Sequence, residues 1–531
     1  MNRLTSLQGF LLWIPVWSIL AILVLLLLLP ISYLFGSWGN IDIQLWEHFS
    51  ANLLDELTLN TLLLVLSVAV GTLTLGTGLA WFVVMYEFPG RRWLSWLLLL
   101  PFAMPAYVLA FVFLGTFDYG GTVQQWLRTF FSIDYFDIRE GVFGPALVLT
   151  LVFYPYVYLL ARTAFANQAI SMIENARLLG CSPASVFWRL SFPLARPAIA
   201  AGVSLALMET LADFGTVSLF NYSTFTTAIY SVWEDFHSLT AAAQLSTLLL
   251  LFAVMLLGME KLSRGRRAFT QQANLDRPPF VLKNWQRWLV SFSIWMIVVI
   301  VLIIPIVQLG VWSYQSLLEE WDARYFDWLS NTLVLSVSSA VIIVSSALLM
   351  NILQKKTTGK TVRFLLFSAR LGYALPGVVL AIGIMGVLAW FNQQLDTDWF
   401  IGGLFALYLA YLVRFIAVAH GPIESRLQTI RPSIIEAARN MGANSTRLLW
   451  EIYLPLLKPG LIAAFILAFL DISKELPATY LLRPFGWDTL AMRIFELSTE
   501  GLYQRAAIPS LVLLLLGIAG LLILRRLNLF R

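Results

Sequence analysis

Apolar runs of about twenty residues, separated by short polar segments, recur along the whole chain. A helix needs about 20 apolar residues to cross a bilayer core of about 30 Å. Twelve stretches qualify: 11–35, 59–85, 93–116, 143–166, 198–220, 240–258, 288–313, 331–353, 363–391, 400–419, 461–482 and 508–525. The first is too long for a cleaved signal peptide and lacks a small-residue cleavage site, so it reads as a retained span. The pattern predicts an all-α polytopic membrane protein with about twelve transmembrane helices.

Composition agrees. Of 531 residues, 59% are hydrophobic and 12% charged, where soluble domains run at about 45–50% and about 25%. So apolar a chain has too little polar surface to cover a soluble core. A soluble enzyme, a disordered chain and a nucleic-acid binder are excluded. The net charge of +5 is small and makes no basic patch. Cys181 is the single cysteine, which rules out an intrachain disulfide and a cysteine metal cluster. His48, His237 and His420 are scattered without metal-ligand spacing and are expected at surfaces or interfaces.

Charge placement sets the orientation. Arg91 and Arg92 follow the second span. Lys261, Arg264, Arg266, Arg267, Arg277, Lys283 and Arg287 follow the sixth. Lys355, Lys356, Lys360 and Arg363 follow the eighth, and Arg525, Arg526 and Arg531 end the chain. The alternate segments are acidic, with Asp42, Glu47, Asp55 and Glu56 after the first span and Glu234 and Asp235 after the fifth. Both termini, and the loops after the fourth and tenth spans, are therefore expected in the cytoplasm.

The chain repeats itself. Glu174-Asn-Ala-Arg-Leu-Leu-Gly180 matches Glu436-Ala-Ala-Arg-Asn-Met-Gly442 at an offset of 436 − 174 = 262. The same offset maps Leu190 to Ile452, Phe192 to Leu454, Pro193 to Pro455, Glu209 to Asp471 and Asp213 to Glu475. Earlier in the chain the offset is 271, which maps Asn60 to Asn331 and Pro105 to Pro376. Two six-span units in tandem share one orientation, because six is even, with a pathway expected between them. The divisions are 1–55 (first span and periplasmic segment), 56–260 (first transmembrane domain), 261–287 (cytoplasmic linker), 288–326 (seventh span and periplasmic segment) and 327–526 (second transmembrane domain).

Each cytoplasmic loop carries one skeleton: Glu, Gly six later, an aliphatic residue ten after that, and Pro three further on. A helix ending at Gly180 or Gly442 is predicted, since glycine takes the positive φ of a helix C-cap. Ser182-Pro183 starts a second short helix in one copy, and Asn444 or Ser445 caps it in the other. That helix is expected to reach Pro193 or Pro455 and then turn back into the membrane.

Glu209, Asp213, Asp471 and Glu475 fall inside the fifth and eleventh spans, where charge is costly and marks function. At 1.5 Å per residue they lie about 16–23 Å from the cytoplasmic ends. Gly215 and Pro477 follow and predict local unwinding. As hard oxygen ligands the four carboxylates suit a highly charged cation; sulfate or phosphate would be repelled. Asp471 could instead pair with Lys474 and brace the interface between the halves. Gly359-Lys360-Thr361 resembles the end of a P-loop, but Gln354 stands where that motif needs glycine.

The paired loop skeleton resembles the EAA loop of the membrane subunits of binding-protein-dependent ABC importers. The second copy fits at Glu436, Ala437, Ala438, Gly442, Ile452, Leu454 and Pro455; the first fits at Glu174, Ala176, Gly180 and Pro193 and departs at Asn175, Leu190 and Phe192. The two-copy layout, with Asp213-Phe-Gly-Thr and Lys-Glu475-Leu-Pro-Ala-Thr, is most similar to fused permeases for ferric iron. The resemblance implies a MetI-like type I importer fold in the bacterial inner membrane and no enzymatic activity. It implies a homodimeric ATP-binding subunit, with ATP and Mg on that partner and no cofactor on this chain. A periplasmic binding protein would deliver Fe³⁺, with Asp213 and Glu475 as transient contacts. Fused thiamine permeases share the layout, and a proton-driven secondary transporter is a third possibility.

Overall fold

A computed structural model describes residues 14–41, 43–264, 279–319, 324–356, 372–396, 402–444 and 447–526. Outside these lie Gly359-Lys360-Thr361, the linker residues Arg266, Arg267 and Arg277, Ser445, and the first part of the predicted ninth span. The described residues are helical throughout apart from turns and one isolated bridge between Tyr86 and Phe280.

Among the described residues, ten helices are long and apolar enough to cross a bilayer, and a bent pair makes an eleventh. They include Leu54–Met85, Phe143–Ala166, Pro183–Ala212 and Leu239–Glu260 in the first half, and Gly377–Leu395, Leu404–Thr429, Leu448–Ser473 and Tyr503–Arg526 in the second. The helix Ile14–Gly36 occupies the predicted first span.

The third span is not straight. Arg91–Ala103 and Ala106–Phe117 meet at 93°. Pro101 and Pro105 remove two amide donors there. The carbonyls that the break frees are met from the fourth span: Tyr154 donates to the Leu98 carbonyl at 3.0 Å and Tyr158 to that of Ser95 at 2.9 Å. Broken backbone at membrane depth persists only where protein satisfies it in this way.

The two halves interlock. Ile14–Gly36 packs on Gly377–Leu395 of the other half. Gly386 permits this, because a Cβ there would stand 1.9 Å from the Tyr33 ring. The helix Ile304–Glu319 of the seventh span packs on Tyr503–Arg526 and on the third span, where Phe111, Trp312 and Tyr503 stack at ring separations of 6.0–6.2 Å. Small residues at close crossings serve where lipid offers no hydrophobic drive between helices.

The segment joining the halves returns to the first half. The Phe280 N–H donates to the Met85 carbonyl at 3.1 Å, and its buried ring lies among Trp81, Tyr86 and Arg177. His420 corrects an expectation: it is 2% exposed, inside the tenth span, with Nδ1 3.5 Å from Glu424. Its neighbour one turn along supplies the polar partner a buried imidazole needs.

Candidate functional site

Two places carry the features singled out in the sequence: a pair of helical knobs at one end of the bundle, and a cavity between the halves.

The knobs have one design. Helix Ile170–Leu178 ends where the Gly180 N–H bonds the Arg177 carbonyl at 2.9 Å and the Cys181 N–H bonds that of Ala176 at 3.0 Å. Helix Pro432–Asn440 ends with Gly442 to Arg439 at 2.9 Å and Ala443 to Ala438 at 3.0 Å. Both glycines are left-handed, at φ +79° and +84°. This bond pair is a Schellman cap. The motif alanines Ala176 and Ala438 supply its outer carbonyl.

Ser182 then caps the next helix by accepting from the Ser185 N–H at 3.3 Å, and Asn444 does so for Arg447 at 2.8 Å. The expected turn at Pro193 and Pro455 is absent. The chain runs on as one rod, through a wide i→i+5 turn at Phe187–Ser191 and at Leu448–Tyr453. In that turn the Phe192 N–H bonds the Phe187 carbonyl and Leu454 bonds Leu449. The wider turn shifts the bonding register just before a proline that has no N–H to give.

Around the second knob, buried Ile435, Leu448 and Leu457 form a core separate from that of the membrane bundle. Leu190, Ile452 and Leu454 are partly buried, whereas Glu174, Glu436, Ala437, Pro193 and Pro455 face outward. Large apolar residues are also exposed: Leu179 at 84% and Trp188 at 64%, and at matching positions Met441 at 79% and Trp450 at 66%.

The second place is a cavity of about 110 Å³ lined from both halves. It gathers all four sequence-predicted carboxylates, Glu209, Asp213, Asp471 and Glu475. Its walls are pseudo-symmetric: Phe153 and Phe415 line it, as do Val152 and Arg414, each pair at the 262-residue offset.

Each carboxylate has a bond within the chain. Asp213 ends the helix Phe192–Ala212 and caps the next, Gly215–Leu219. Its Oδ1 accepts from the Thr216 and Val217 N–H groups at 3.0 and 3.1 Å, and its Oδ2 from the Thr216 hydroxyl at 3.0 Å. Glu475 does the same for Pro477–Leu482. It accepts from the Ala478 and Thr479 N–H groups at 2.9 Å each and from the Thr479 hydroxyl at 2.6 Å. The predicted unwinding is real but falls two residues early. Gly215 and Pro477 open new helices rather than breaking old ones. Asp471 pairs with Lys474 at 2.9 Å, the alternative the sequence offered. Glu209 accepts from the Tyr373 hydroxyl.

Sequence reasoning did not single out Arg414 or Tyr373. Arg414 is 8% exposed in the tenth span and lines the cavity. A lone arginine within the apolar stretch 400–419 was the signal available. Tyr373 gave none. Among the described residues, no group of three or more His, Cys, Asp or Glu side chains is placed to hold a metal ion.

Comparison with known proteins matches this architecture. A family described as the binding-protein-dependent transport system inner membrane component matches twice, over residues 72–267 and 352–529. The Fe(3+)-transport system permease protein FbpB 2 of Haemophilus influenzae is 26% identical over 517 residues, covering 94% of this chain and 96% of that protein. The ferric transport system permease protein FbpB of Actinobacillus pleuropneumoniae is 24% identical, covering 70% of this chain and 56% of its own length. The sulfate transport system permease protein CysT of Escherichia coli is 29% identical over 36% of this chain and 69% of its own. These relatives are transport permeases rather than enzymes, and their family implies association with an ATPase and a binding protein. With a matching domain in each half, both built around the same capped knob, the chain belongs to the family of binding-protein-dependent transport system inner membrane components.

Proposed function

We propose that this chain is the membrane-spanning permease subunit of an ATP-driven importer for ferric iron, its two halves serving one ATPase homodimer. The matched knobs carry this reading. Each presents an apolar pair: Leu179 and Met441 where the first short helix ends, and Trp188 and Trp450 on a rod continuous with a helix that lines the cavity. Exposed apolar side chains repeated at one offset mark docking surfaces. A rigid rod carries a push at the knob into the membrane.

The chain lies in the bacterial inner membrane with both termini and both knobs cytoplasmic, in line with its Lys and Arg placement. A periplasmic binding protein hands cargo to the opposite face. ATP and Mg are held by the partner, and this chain carries no cofactor. ATP binding draws the partner subunits together, the knobs follow, and the halves alternate access around the cavity. Glu209, Asp213, Asp471 and Glu475 line the route; Asp213 and Glu475 hold its walls by capping and meet the metal only in passing.

Iron is favoured over sulfate by extent. The likeness to an Fe(3+) permease runs over 94% of this chain, whereas that to a sulfate permease covers 36%. The test is uptake of radiolabelled iron by proteoliposomes holding this chain, its ATPase and iron-loaded binding protein. ATP should drive uptake and a proton gradient alone should not. Uptake driven by the gradient without ATPase would refute the importer reading. Thiamine carried in place of iron would refute the substrate.

A further inference from the structure

The cavity is lined by a buried cation with N–H groups left unbonded. Among the described residues, the Nε and Nη1 of Arg414 are buried without a hydrogen-bond partner. The guanidinium carbon lies 5.6 Å from the ring centre of its neighbour Phe415. All four carboxylates, in contrast, already accept a bond from within the chain. A buried charge left unpaired is expensive and is kept where something arrives to pair with it.

The ends of Arg414 and Glu475 both lie close to Gly377. A Cβ on Gly377 would stand 2.5 Å from the Arg414 Nη1 and 2.9 Å from the Glu475 Oε1. Only glycine leaves that gap open, at the first turn of Gly377–Leu395. The group is also peculiar to one half, since the matching position holds Val152. A guanidinium with unbonded nitrogens presents N–H donors suited to carboxylate, phosphate or sulfate oxygens. The cavity of about 110 Å³ has room for a small oxyanion in place of several waters.

We infer that Arg414 is an oxyanion contact in the translocation cavity, so that the cargo passes as a unit bearing an oxyanion. This rests on the importer reading and deepens it: a ferric ion would enter with an oxyanion ligand that meets Arg414. It revises the expectation that the carboxylates repel every anion: they keep their charge, but an oxyanion carried on Fe³⁺ enters with the positive charge of the metal, and Arg414 offers donors to its oxygens. The same chemistry would serve a free oxyanion, and one experiment separates the two sources.

The full importer is reconstituted with its ATPase and binding protein. Uptake of labelled iron is measured with the binding protein loaded with iron alone or with iron and inorganic phosphate, the phosphate also labelled. A second arm offers labelled sulfate without iron. Phosphate should speed iron entry, and Arg414→Gln should lower that uptake about tenfold or more, with Arg414→Lys retaining part and ATPase co-purification unchanged. Phosphate entering only with iron identifies a metal ligand. Arg414-dependent sulfate entry without iron identifies a free anion. If Arg414→Gln imports iron at the wild-type rate and phosphate has no effect, the inference falls and the importer reading stands. If sulfate moves, slowed by Arg414→Gln, and iron never does, the iron assignment falls and the Arg414 contact stands; sulfate movement untouched by Arg414→Gln overturns that contact. If neither moves through an assembled complex that hydrolyses ATP, both fall. Should Arg414→Gln not assemble, Gly377→Ala displaces the guanidinium without removing its charge and should slow the same uptake; wild-type uptake there overturns the inference.

Discussion

The guanidinium carbon of Arg177 sits 5.5 Å from the ring centre of Phe280, joining the first knob to the segment that connects the two halves. Arg177 also donates to the Pro279 carbonyl. Phe280 in turn bonds Met85 at the end of the second span. The first knob is thereby latched to a linker that itself anchors in the bundle. Phe280→Ala removes a buried ring, a change that costs about 3–5 kcal/mol in a packed core. Amide exchange in residues 170–186 should quicken in the assembled importer, while that in 432–444 stays as it was. Equal change in both knobs would show that Phe280 stabilises the protein generally and is no latch.

The knob glycines are needed for their backbone and not for their small size. No atom lies within 4 Å of a Cβ built on Gly180 or Gly442, so bulk meets open space. A left-handed φ costs an ordinary residue about 1–2 kcal/mol, and asparagine bears it best. Gly442→Asn should keep ATPase co-purification near the wild-type level, whereas Gly442→Val should lose most of it. Equal loss in both variants would make the effect a clash with the partner.

Asp213 and Glu475 allow their two roles to be separated. Asp213→Asn keeps an oxygen for the Thr216 and Val217 N–H groups, whereas Asp213→Ala leaves them bare. Loss of such a cap costs about 0.5–2 kcal/mol. Thermal unfolding of the purified chain should therefore show Asn near wild type and Ala lower. The double variant Asp213→Asn with Glu475→Gln should remain assembled and stop ferric uptake. Unchanged uptake would leave the two residues with a capping role alone.

Much of this was legible in the sequence because membrane helices write their length in apolar residues. The duplicated Glu174 and Glu436 skeletons located both knobs, and spacing alone placed positive-φ glycines at 180 and 442. What stayed hidden depends on neighbours distant in sequence. The 93° bend of the third span needs Tyr154 and Tyr158 to complete it. The wide turns before Pro193 and Pro455 leave no mark in apolar periodicity, so a stop was expected where the helix continues. Nor were the bonds that occupy Asp213 and Glu475 readable.

The exposed apolar residues of the knobs give the most direct test of coupling. Trp188 and Trp450 stand at the same place in the two halves, on the wide turns that lead into the membrane. Both are more than half exposed on the bundle surface. Buried tryptophans at interfaces commonly contribute about 2 kcal/mol or more each. Trp450→Ala should thus weaken ATPase association about thirtyfold, and the double variant with Trp188→Ala should lose stable co-purification. Because both side chains point away from the bundle core, thermal stability of the isolated chain should hardly move. A double variant that retained its ATPase at wild-type affinity would place the docking surface elsewhere and remove the observation on which the importer reading rests.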